Sequence, residues 1–346
     1  MRTFNKSHYF SSLDKLVSDD VKHFFNTSIL ITGANGLIGG SLLDFFLYLN
    51  AEYQANISLS VLVRKQLEMH DFFQKEKITK IIQSVDEAIH FADDLDYIFH
   101  TASNAHPQAY DFYPVETIMT TVAGTKNTLE LAREKKAKLI FVSSSEVYGE
   151  LPEGAEYHLE NRYGMIDILS PRACYSESKR LAETLIVSYI KEFGVEASIV
   201  RPAYIYGARF AEANTRADVD FIKKCLAKEN IVMKSKGTQK RSYCYVLDCI
   251  SAMLLVALKG QNGAAYNISS DSGNVQLVDF AGKLAELSGV ELFFDIQDTG
   301  SGSPVQNSLL SNQQLKNLGW KELFDLSDGI RDTFANISNS SFKEMK

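Results

Sequence analysis

The chain has 346 residues, of which 45% are hydrophobic, so it is long enough to bury a sizeable core in one large domain or two connected ones. Its 36 Lys and Arg residues against 43 Asp and Glu residues give a net charge of −7, which argues against a nucleic-acid polymer or an anionic membrane as partner. A small anionic ligand could still bind, but only in a locally basic cleft.

The four cysteines predict free thiols, because they lack the paired spacing of a zinc site or a disulfide framework. A reducing compartment is therefore expected, and the cytoplasm is the default location. Residues 1–27 contain no apolar stretch of signal-peptide length, and no segment approaches the roughly 18 apolar residues of a membrane span. The cysteines are Cys174, Cys225, Cys244 and Cys249.

The first 27 residues predict a helical extension that packs on the body of the protein. Apolar side chains recur there at helical spacing, which is typical of an amphipathic helix. Its polar face is not rich in Lys or Arg, so packing is favoured over binding to a membrane surface. The apolar positions are Leu13, Leu16, Val17, Val21, Phe24 and Phe25.

From residue 28 onward the pattern alternates between strands and helices. Strands are predicted at 28–32, 57–63, 97–100, 139–143 and 195–200, and helices at about 37–49, 115–136 and 175–193. Repeated strand–helix units imply a parallel sheet covered on both faces. The predicted fold class is α/β, a Rossmann-type doubly wound parallel sheet with a smaller C-terminal α/β substrate-binding domain.

The rhythm becomes irregular after Arg201, with short helices at 221–228 and 278–287. We therefore assign residues 28–201 to a domain that binds NAD(P), to which 238–262 return. Residues 202–237 and 263–346 are assigned to the substrate-binding domain.

A glycine turn follows the first strand and opens the first long helix. Gly33 permits the sharp turn, Gly36 lets the backbone approach a pyrophosphate, and Gly39 lets helix and strand pack closely. A merely structural turn is the alternative, but the strand before it and the helix after it favour dinucleotide binding. The predicted cofactor-binding residues here are Gly33, Asn35, Gly36, Leu37, Ile38 and Gly39.

The end of the second strand departs from the usual pattern for NAD. An acidic residue normally binds the adenosine ribose there, whereas this chain has Arg64 followed by Lys65. A cation suits the 2′-phosphate of NADP, so Arg64 is a candidate cofactor-binding residue and gives NADP a slight preference. The alternative is that both side chains simply extend into solvent.

Proton chemistry is indicated by Tyr175 and Lys179, which lie four positions apart on a predicted helix and so share a face. Free tyrosine has a pKa of about 10, too high for a base at neutral pH. The Lys179 ammonium and a positive nicotinamide ring would both favour the phenolate and lower that pKa. Ser143, Ser144 and Ser145 end a strand at the sheet edge where α/β folds bind ligands, and a serine there can bond to a substrate oxygen.

Together these motifs resemble the extended short-chain dehydrogenase/reductase family, the nucleotide-sugar epimerases, dehydratases and decarboxylases. The resemblance covers about residues 28–335. Segments 100–103, 144–146, 171–175 and 318–320 are most similar to those of the UDP-glucuronate decarboxylases. The other shared segments are 143–149, Tyr175-x-x-x-Lys179, Arg201-Pro202 with Tyr206-Gly207, and Arg241-x-x-x-Tyr245-Val246-x-Asp248.

This resemblance implies an enzyme that uses bound NAD(P) to oxidise C4 of a nucleotide-linked sugar to a 4-keto intermediate. The family resemblance favours NAD, with NADP possible from Arg64 and Lys65. The implied catalytic residues are Ser144, Glu146, Tyr175, Lys179 and Arg241. Further cofactor-binding residues are Thr101, Ala102, Ser103 and Arg201, in addition to Tyr175 and Lys179. The expected substrate-binding residues are Ser103, Ser145, Tyr204, Arg209 and Arg241, with Arg209 placed on a loop that can reach phosphates.

Several positions depart from the family pattern. Tyr204 replaces an asparagine that helps to hold the substrate diphosphate, and Ser145 replaces the aspartate of the dehydratases. A family arginine near the C-terminus is missing, its neighbourhood being 306–308, and Thr121 replaces another asparagine. Decarboxylation is the favoured reaction, because it does not need the aspartate that Ser145 replaces.

Other functions stay open at this point. A 4,6-dehydratase, an epimerase or an NADPH-dependent reductase fits the same motifs, and a non-catalytic cofactor-sensing regulator is the alternative of another class. A homodimer is expected by resemblance, through two helices of each subunit. His100 and His106 lack companion ligands at metal spacing, so no metal site is expected.

Overall fold

A parallel sheet of seven strands runs through the computed structural model, which describes residues 4–105, 107–211, 214–296 and 307–337. In chain order, the strands are β1 (Ser28–Thr32), β2 (Ser58–Val63), β3 (Ile78–Ile82), β4 (Tyr97–His100), β5 (Lys138–Val142), β6 (Ala197–Pro202), β7 (Tyr204–Tyr206), β8 (Ile231–Met233), β9 (Lys240–Tyr245), β10 (Ala265–Ile268), β11 (Asn274–Gln276), β12 (Leu292–Phe294) and β13 (Asn307–Ser308). The large sheet has the order β10-β6-β5-β4-β1-β2-β3.

Helices pack around this sheet and around the two smaller sheets. They are α1 (Lys6–Asp14), α2 (Leu37–Tyr53), α3 (Pro107–Phe112), α4 (Pro114–Lys135), α5 (Ala173–Phe193), α6 (Ala217–Ala227), α7 (Val246–Lys259), α8 (Leu277–Ser288), α9 (Gln313–Asn317) and α10 (Leu326–Asn336). Within the described ranges, none is both long and apolar enough to cross a bilayer.

Alternate side chains of β1 show how the sheet is buried. Ile29 and Ile31 pack with α2 and α7, whereas Leu30 faces the opposite cluster, which includes residues of α4 and α5. Such two-sided burial is what a nearly continuous apolar strand predicts. The predicted Rossmann-type doubly wound sheet is confirmed.

The N-terminal extension differs from the single amphipathic helix predicted for it. It forms α1 and a separate 3-10 helix at Asp20–Phe24, each of which buries apolar side chains. Strand β3 was missed because it lies at the sheet edge, where its side chains are exposed or half-buried and no apolar alternation is required.

Two strands also lie on the other side of the predicted domain boundaries. β10, assigned by sequence to the substrate-binding domain, pairs with β6 and completes the large sheet. β9, assigned to the cofactor domain, pairs instead with β7, β11 and β13 in a small sheet. The helix α7 does return to the large sheet, where it packs against α2.

Candidate active site

The glycine turn closes tightly against the end of β4. Gly33 has a φ of +75°, and a Cβ on Gly39 would lie 2.4 Å from Thr101 Oγ1 and 2.6 Å from the Gly33 carbonyl oxygen. Gly36, which is the N-cap of α2, is less crowded: a Cβ there would meet one atom, the Gly33 carbonyl oxygen, at a tight 3.3 Å. The turn therefore offers an open cradle at Gly36, directly before the first-turn amides at Leu37 and Ile38.

The Asn35 side chain forms two hydrogen bonds with the segment that follows β2. Its amide donates to the Gln66 carbonyl at 3.0 Å, and its oxygen accepts from the Glu68 amide at 2.9 Å. Asn35 thus ties the glycine turn to the segment after β2. These bonds give Asn35, which the sequence predicts to contact the cofactor, a structural role.

The ends of β1 and β4 are locked together by polar contacts. Thr32 Oγ1 lies 2.8 Å from His100 Nδ1, and Thr101 Oγ1 donates to the Thr32 carbonyl at 2.6 Å. Beyond them, the buried Ser103 Oγ has no hydrogen-bond partner among the described residues. Such an orphaned hydroxyl next to Ala102 and the glycine turn is a position where a ligand atom would be bound.

Arg64 reaches away from the turn toward α4. Its side chain is 60% exposed and lies 3.4 Å from the Glu116 carboxylate, which also accepts from the Asn104 amide at 3.3 Å. The positive charge predicted at the end of β2 is therefore partly neutralised by an acid from another element.

Tyr175 and Lys179 lie on one face of α5, over the end of β5. Lys179 Nζ donates to the Val142 carbonyl at 2.7 Å and lies 5.8 Å from the centre of the Tyr175 ring. Ser144 begins the 3-10 helix Ser145–Tyr148, and its hydrogen bond with Tyr175 lowers the pKa of that phenol. The structure thus brings three of the five predicted catalytic residues, Ser144, Tyr175 and Lys179, together at one sheet edge.

The pKa values of this pair differ from the sequence prediction. Burial, together with the nearby Glu146, raises the pKa of Tyr175 to about 12, despite hydrogen bonds that lower it. Burial also lowers the pKa of Lys179 to about 7. The removal of water outweighs the neighbouring charges in the protein alone, and a lower Tyr175 pKa beside a bound nicotinamide ring stays a prediction.

Glu146 is held firmly beside Tyr175. Arg172 Nη2 lies 3.0 Å from one of its carboxylate oxygens and 2.9 Å from the other, and Ser176 Oγ donates to the second at 3.4 Å. Ser145, next to Glu146, is half-buried in the same turn of 3-10 helix.

A second cationic group lies at the small sheet. The guanidinium carbons of Arg216 and Arg241 lie 5.1 Å and 5.3 Å from the centre of the Tyr204 ring. Arg216 forms two bonds to Asp218, at 3.1 Å and 2.7 Å, and its charge lowers the pKa of Tyr175. Two cations thus flank one aromatic ring near the predicted catalytic tyrosine.

Two predicted ligand-binding arginines have structural partners instead. Arg201 is buried and forms an ion pair of 2.6 Å with Glu183, whose other oxygen accepts from Ser143 at 2.6 Å. Arg209 is buried against Asp44, with Nε 3.3 Å from the carboxylate. Buried guanidinium groups need such paired acids, which explains their placement.

Sequence reasoning missed three residues of this site. Arg172 appeared only as part of a family motif, Tyr110 not at all, and Glu116 only within a helix. Tyr110 stacks on Tyr175, with the ring centres 4.7 Å apart. No spacing signal links Tyr110 to Tyr175, since they lie 65 positions apart.

The fold and the site define a dinucleotide-binding α/β protein with a Ser-Tyr-Lys set at the carboxyl edge of its sheet. The NAD dependent epimerase/dehydratase family model matches residues 29–269. The chain belongs to that family and is an enzyme of it, which confirms the family resemblance predicted from the motifs.

Curated relatives point to one branch of the family. The chain is 30% identical over 312 residues to UDP-glucuronic acid decarboxylase 1 of Xenopus tropicalis, covering 88% of this chain and 70% of that protein. It is 29% identical over 305 residues to UDP-glucuronic acid decarboxylase 6 of Arabidopsis thaliana, covering 88% and 87%.

Solved structures share the fold. A UDP-glucose 4-epimerase from Thermotoga maritima, solved with UDP-glucose, has a TM-score of 0.74 and 22% identity over 92% of this chain and 99% of that one. A dTDP-glucose 4,6-dehydratase from Bacillus anthracis, in complex with NAD, has a TM-score of 0.73 and 19% identity over 92% and 97%.

Proposed function

We propose that this enzyme is a nucleotide-sugar decarboxylase similar to the UDP-glucuronic acid decarboxylases. The observation that carries the proposal is the convergence of Ser144, Tyr175 and Lys179 beside an open glycine turn. The printed names of the curated relatives supply the direction of the chemistry.

NAD is the proposed cofactor, and the residues present fit it. Gly36 leaves space where a Cβ would intrude, and the buried Ser103 hydroxyl lacks a partner among the described residues. When bound, NAD accepts a hydride from the sugar and returns it. The NADP preference inferred from Arg64 is not supported by the family, and the Glu116 carboxylate beside it favours NAD.

Tyr175 is placed to take the proton of the sugar C4 hydroxyl, and Ser144 to hold that oxygen. Lys179, fixed by the Val142 carbonyl, stays close to the phenol. These three side chains divide the work into orienting the oxygen, moving the proton and setting the local charge.

The resulting 4-keto sugar supports loss of a C5 carboxylate without a dedicated acid. Ser145 stands where the resemblance expects an aspartate in dehydratases, so acid-assisted loss of water is less well equipped. Glu146, paired with Arg172, is the carboxylate that remains beside the substrate.

Substrate binding is assigned to Ser103, Ser145, Tyr204 and Arg241. Arg216 is a further candidate, because it flanks the same loop as Arg209 in sequence and lies against the Tyr204 ring. The two guanidinium groups on the Tyr204 ring suit a diphosphate, since guanidinium donors match phosphate oxygens. We no longer assign Arg209 to the substrate or Arg201 to the cofactor, because Asp44 and Glu183 hold them.

We also propose a homodimer in the cytoplasm. Apolar side chains project into solvent from α4 and from α5, and such a patch is typical of an interface. The four cysteines are buried and unpaired, as in a reducing compartment. Sedimentation of wild type and of Leu181→Glu tests the dimer, and a monomeric wild type contradicts it. The apolar residues are Val115, Ile118, Met119, Leu181 and Val187.

The central test identifies the dinucleotide released from the purified protein and follows a panel of nucleotide sugars by mass. Loss of carbon dioxide from a nucleotide-linked uronate is expected. Loss of water, an unchanged mass with altered stereochemistry, or gain of hydrogen with NADPH would instead identify a dehydratase, an epimerase or a reductase.

Tyr175→Phe should abolish turnover, and the exposed Tyr113→Phe serves as the matched control. Undiminished turnover by Tyr175→Phe contradicts the proton-transfer role.

A further inference from the structure

Arg172 joins the two groups that flank Tyr175. It contacts both carboxylate oxygens of Glu146, and its guanidinium carbon lies 4.5 Å from the centre of the Tyr110 ring. The Tyr110 ring in turn stacks on Tyr175 with 24° between the ring planes. On this geometry, and resting on the proposed function, we propose that Arg172 is a positioning residue that fixes Glu146 and the Tyr175 ring in their reactive arrangement.

The three partners come from separate segments, so no single element fixes their geometry. Glu146 lies in the 3-10 helix after β5, Tyr110 in α3, and Tyr175 in the first turn of α5. Arg172 directly precedes α5 and is the N-cap residue of that helix. Its planar guanidinium places Nη2 within 3.0 Å of both Glu146 oxygens and also lies against the Tyr110 ring, so one rigid group restrains both neighbours.

The arrangement also controls the charge beside Tyr175. The groups that face its phenol are Glu146, Ser144, Tyr110 and Arg216, with Lys179 on its own helix. Glu146 raises the pKa of Tyr175, whereas hydrogen bonds with Ser144 and Tyr110 and the charge of Arg216 lower it. By pairing with Glu146, Arg172 offsets the one negative charge in this set.

Arg172→Ala and Arg172→Lys separate the charge from the geometry. In Arg172→Ala the pH–rate profile for kcat should move up by about one pH unit, because an unpaired carboxylate then faces the phenol. At pH values below the pKa seen in the profile, kcat should fall about tenfold while KM changes little. Each unit of rise in that pKa lowers the fraction of deprotonated Tyr175 by a factor of ten. Arg172→Lys should keep the wild-type profile and recover only part of kcat.

Arg331→Ala is the matched control, because Arg331 forms an ion pair with Asp328 and both side chains are more than half exposed. A pH–rate profile of Arg172→Ala that equals that of wild type overturns the proposal. An effect confined to KM overturns it too, since it would make Arg172 a simple binding residue.

A second measurement does not depend on turnover. NMR spectra of protein with isotopically labelled tyrosine would show the Tyr175 ring, assigned by the signals lost in Tyr175→Phe. Its chemical shifts should be displaced from those of an unstacked tyrosine by the Tyr110 ring. That displacement should be lost in Arg172→Ala and kept in Arg331→Ala. If wild type turns over none of the sugars, the proposed function fails, whereas an unchanged displacement in Arg172→Ala refutes the positioning role itself.

Discussion

The glycine turn allows a test that separates cofactor binding from stability. In Gly36→Ala, the new methyl group would occupy the cradle, while its nearest protein atom would be 3.3 Å away. The backbone of Gly36, with φ −79° and ψ 171°, suits alanine. Loss of a good N-cap residue, up to about 1 kcal/mol, is offset by about 0.4–1 kcal/mol from the less flexible unfolded chain.

Stability of Gly36→Ala should therefore stay within about 1 kcal/mol of wild type, because those two effects oppose each other. Binding of NAD should weaken, because the pyrophosphate meets a methyl group in place of open space. An overpacking cost of about 1–3 kcal/mol corresponds to roughly a 5- to 150-fold rise in Kd.

Gly39→Ala should behave differently, since its methyl group would lie 2.4 Å from Thr101 Oγ1 and 2.6 Å from a backbone oxygen. The same overpacking cost, less about 1 kcal/mol of helix propensity, leaves a loss of up to about 2 kcal/mol. Its Tm should fall by a few degrees, and NAD binding should weaken as well.

Calorimetric titration with NAD and thermal unfolding of the NAD-free proteins provide both quantities. Gly282→Ala is the control, because a Cβ there meets no atom within 4 Å. Wild-type affinity for NAD in Gly36→Ala would refute the placement of the pyrophosphate, and an unchanged Tm in Gly39→Ala would refute the tight packing.

Three further predictions concern charged residues. Glu116→Gln frees Arg64 and should raise the NADP to NAD affinity ratio by about 1.4- to 5-fold, as measured by titration, since an exposed pair contributes about 0.2–1 kcal/mol. Arg209→Met should lower the free energy of unfolding by about 3–5 kcal/mol in denaturant titrations, because Asp44 loses its buried cation, and should leave the substrate KM unchanged. Burial raises the pKa of Asp248 to about 7, so its folded form holds a proton that the unfolded chain releases near pH 4. The stability of wild type relative to Asp248→Asn should therefore decrease as pH rises from about 4 to about 7.

Much of the fold could be predicted because its signals are local. β1 and α2 are apolar runs separated by a glycine turn, and this pattern alone predicts both the strand and the helix. β3 lacked such a signal, since Lys80 and its neighbours lie at an edge that needs no apolar face. The allocation of β9 and β10 to different sheets depends on pairing between distant segments, which periodicity does not encode.

Local signals likewise predicted one part of the candidate site but not the other. Tyr175 and Lys179 could be paired by helical spacing, and Ser144 by its place after a strand. Tyr110 and Arg172 act through contacts in space that no spacing indicates. Arginine patterns were the least informative, because a guanidinium on a loop looks the same in sequence whether it faces a phosphate or a buried acid.

The charge states of Tyr175 and Lys179 connect the fold to the proposed chemistry. Because burial sets their pKa values at about 12 and about 7, the phenol keeps its proton at neutral pH and the amine is only partly protonated. Tyr175 therefore needs further positive charge before it can act as a base. The pKa of about 12 already includes the charge of Arg216, so the positively charged ring of oxidised NAD would supply the further charge. Proton removal by Tyr175 should accordingly depend on the oxidised form of the dinucleotide, since the reduced form is neutral at that ring and leaves the phenol protonated.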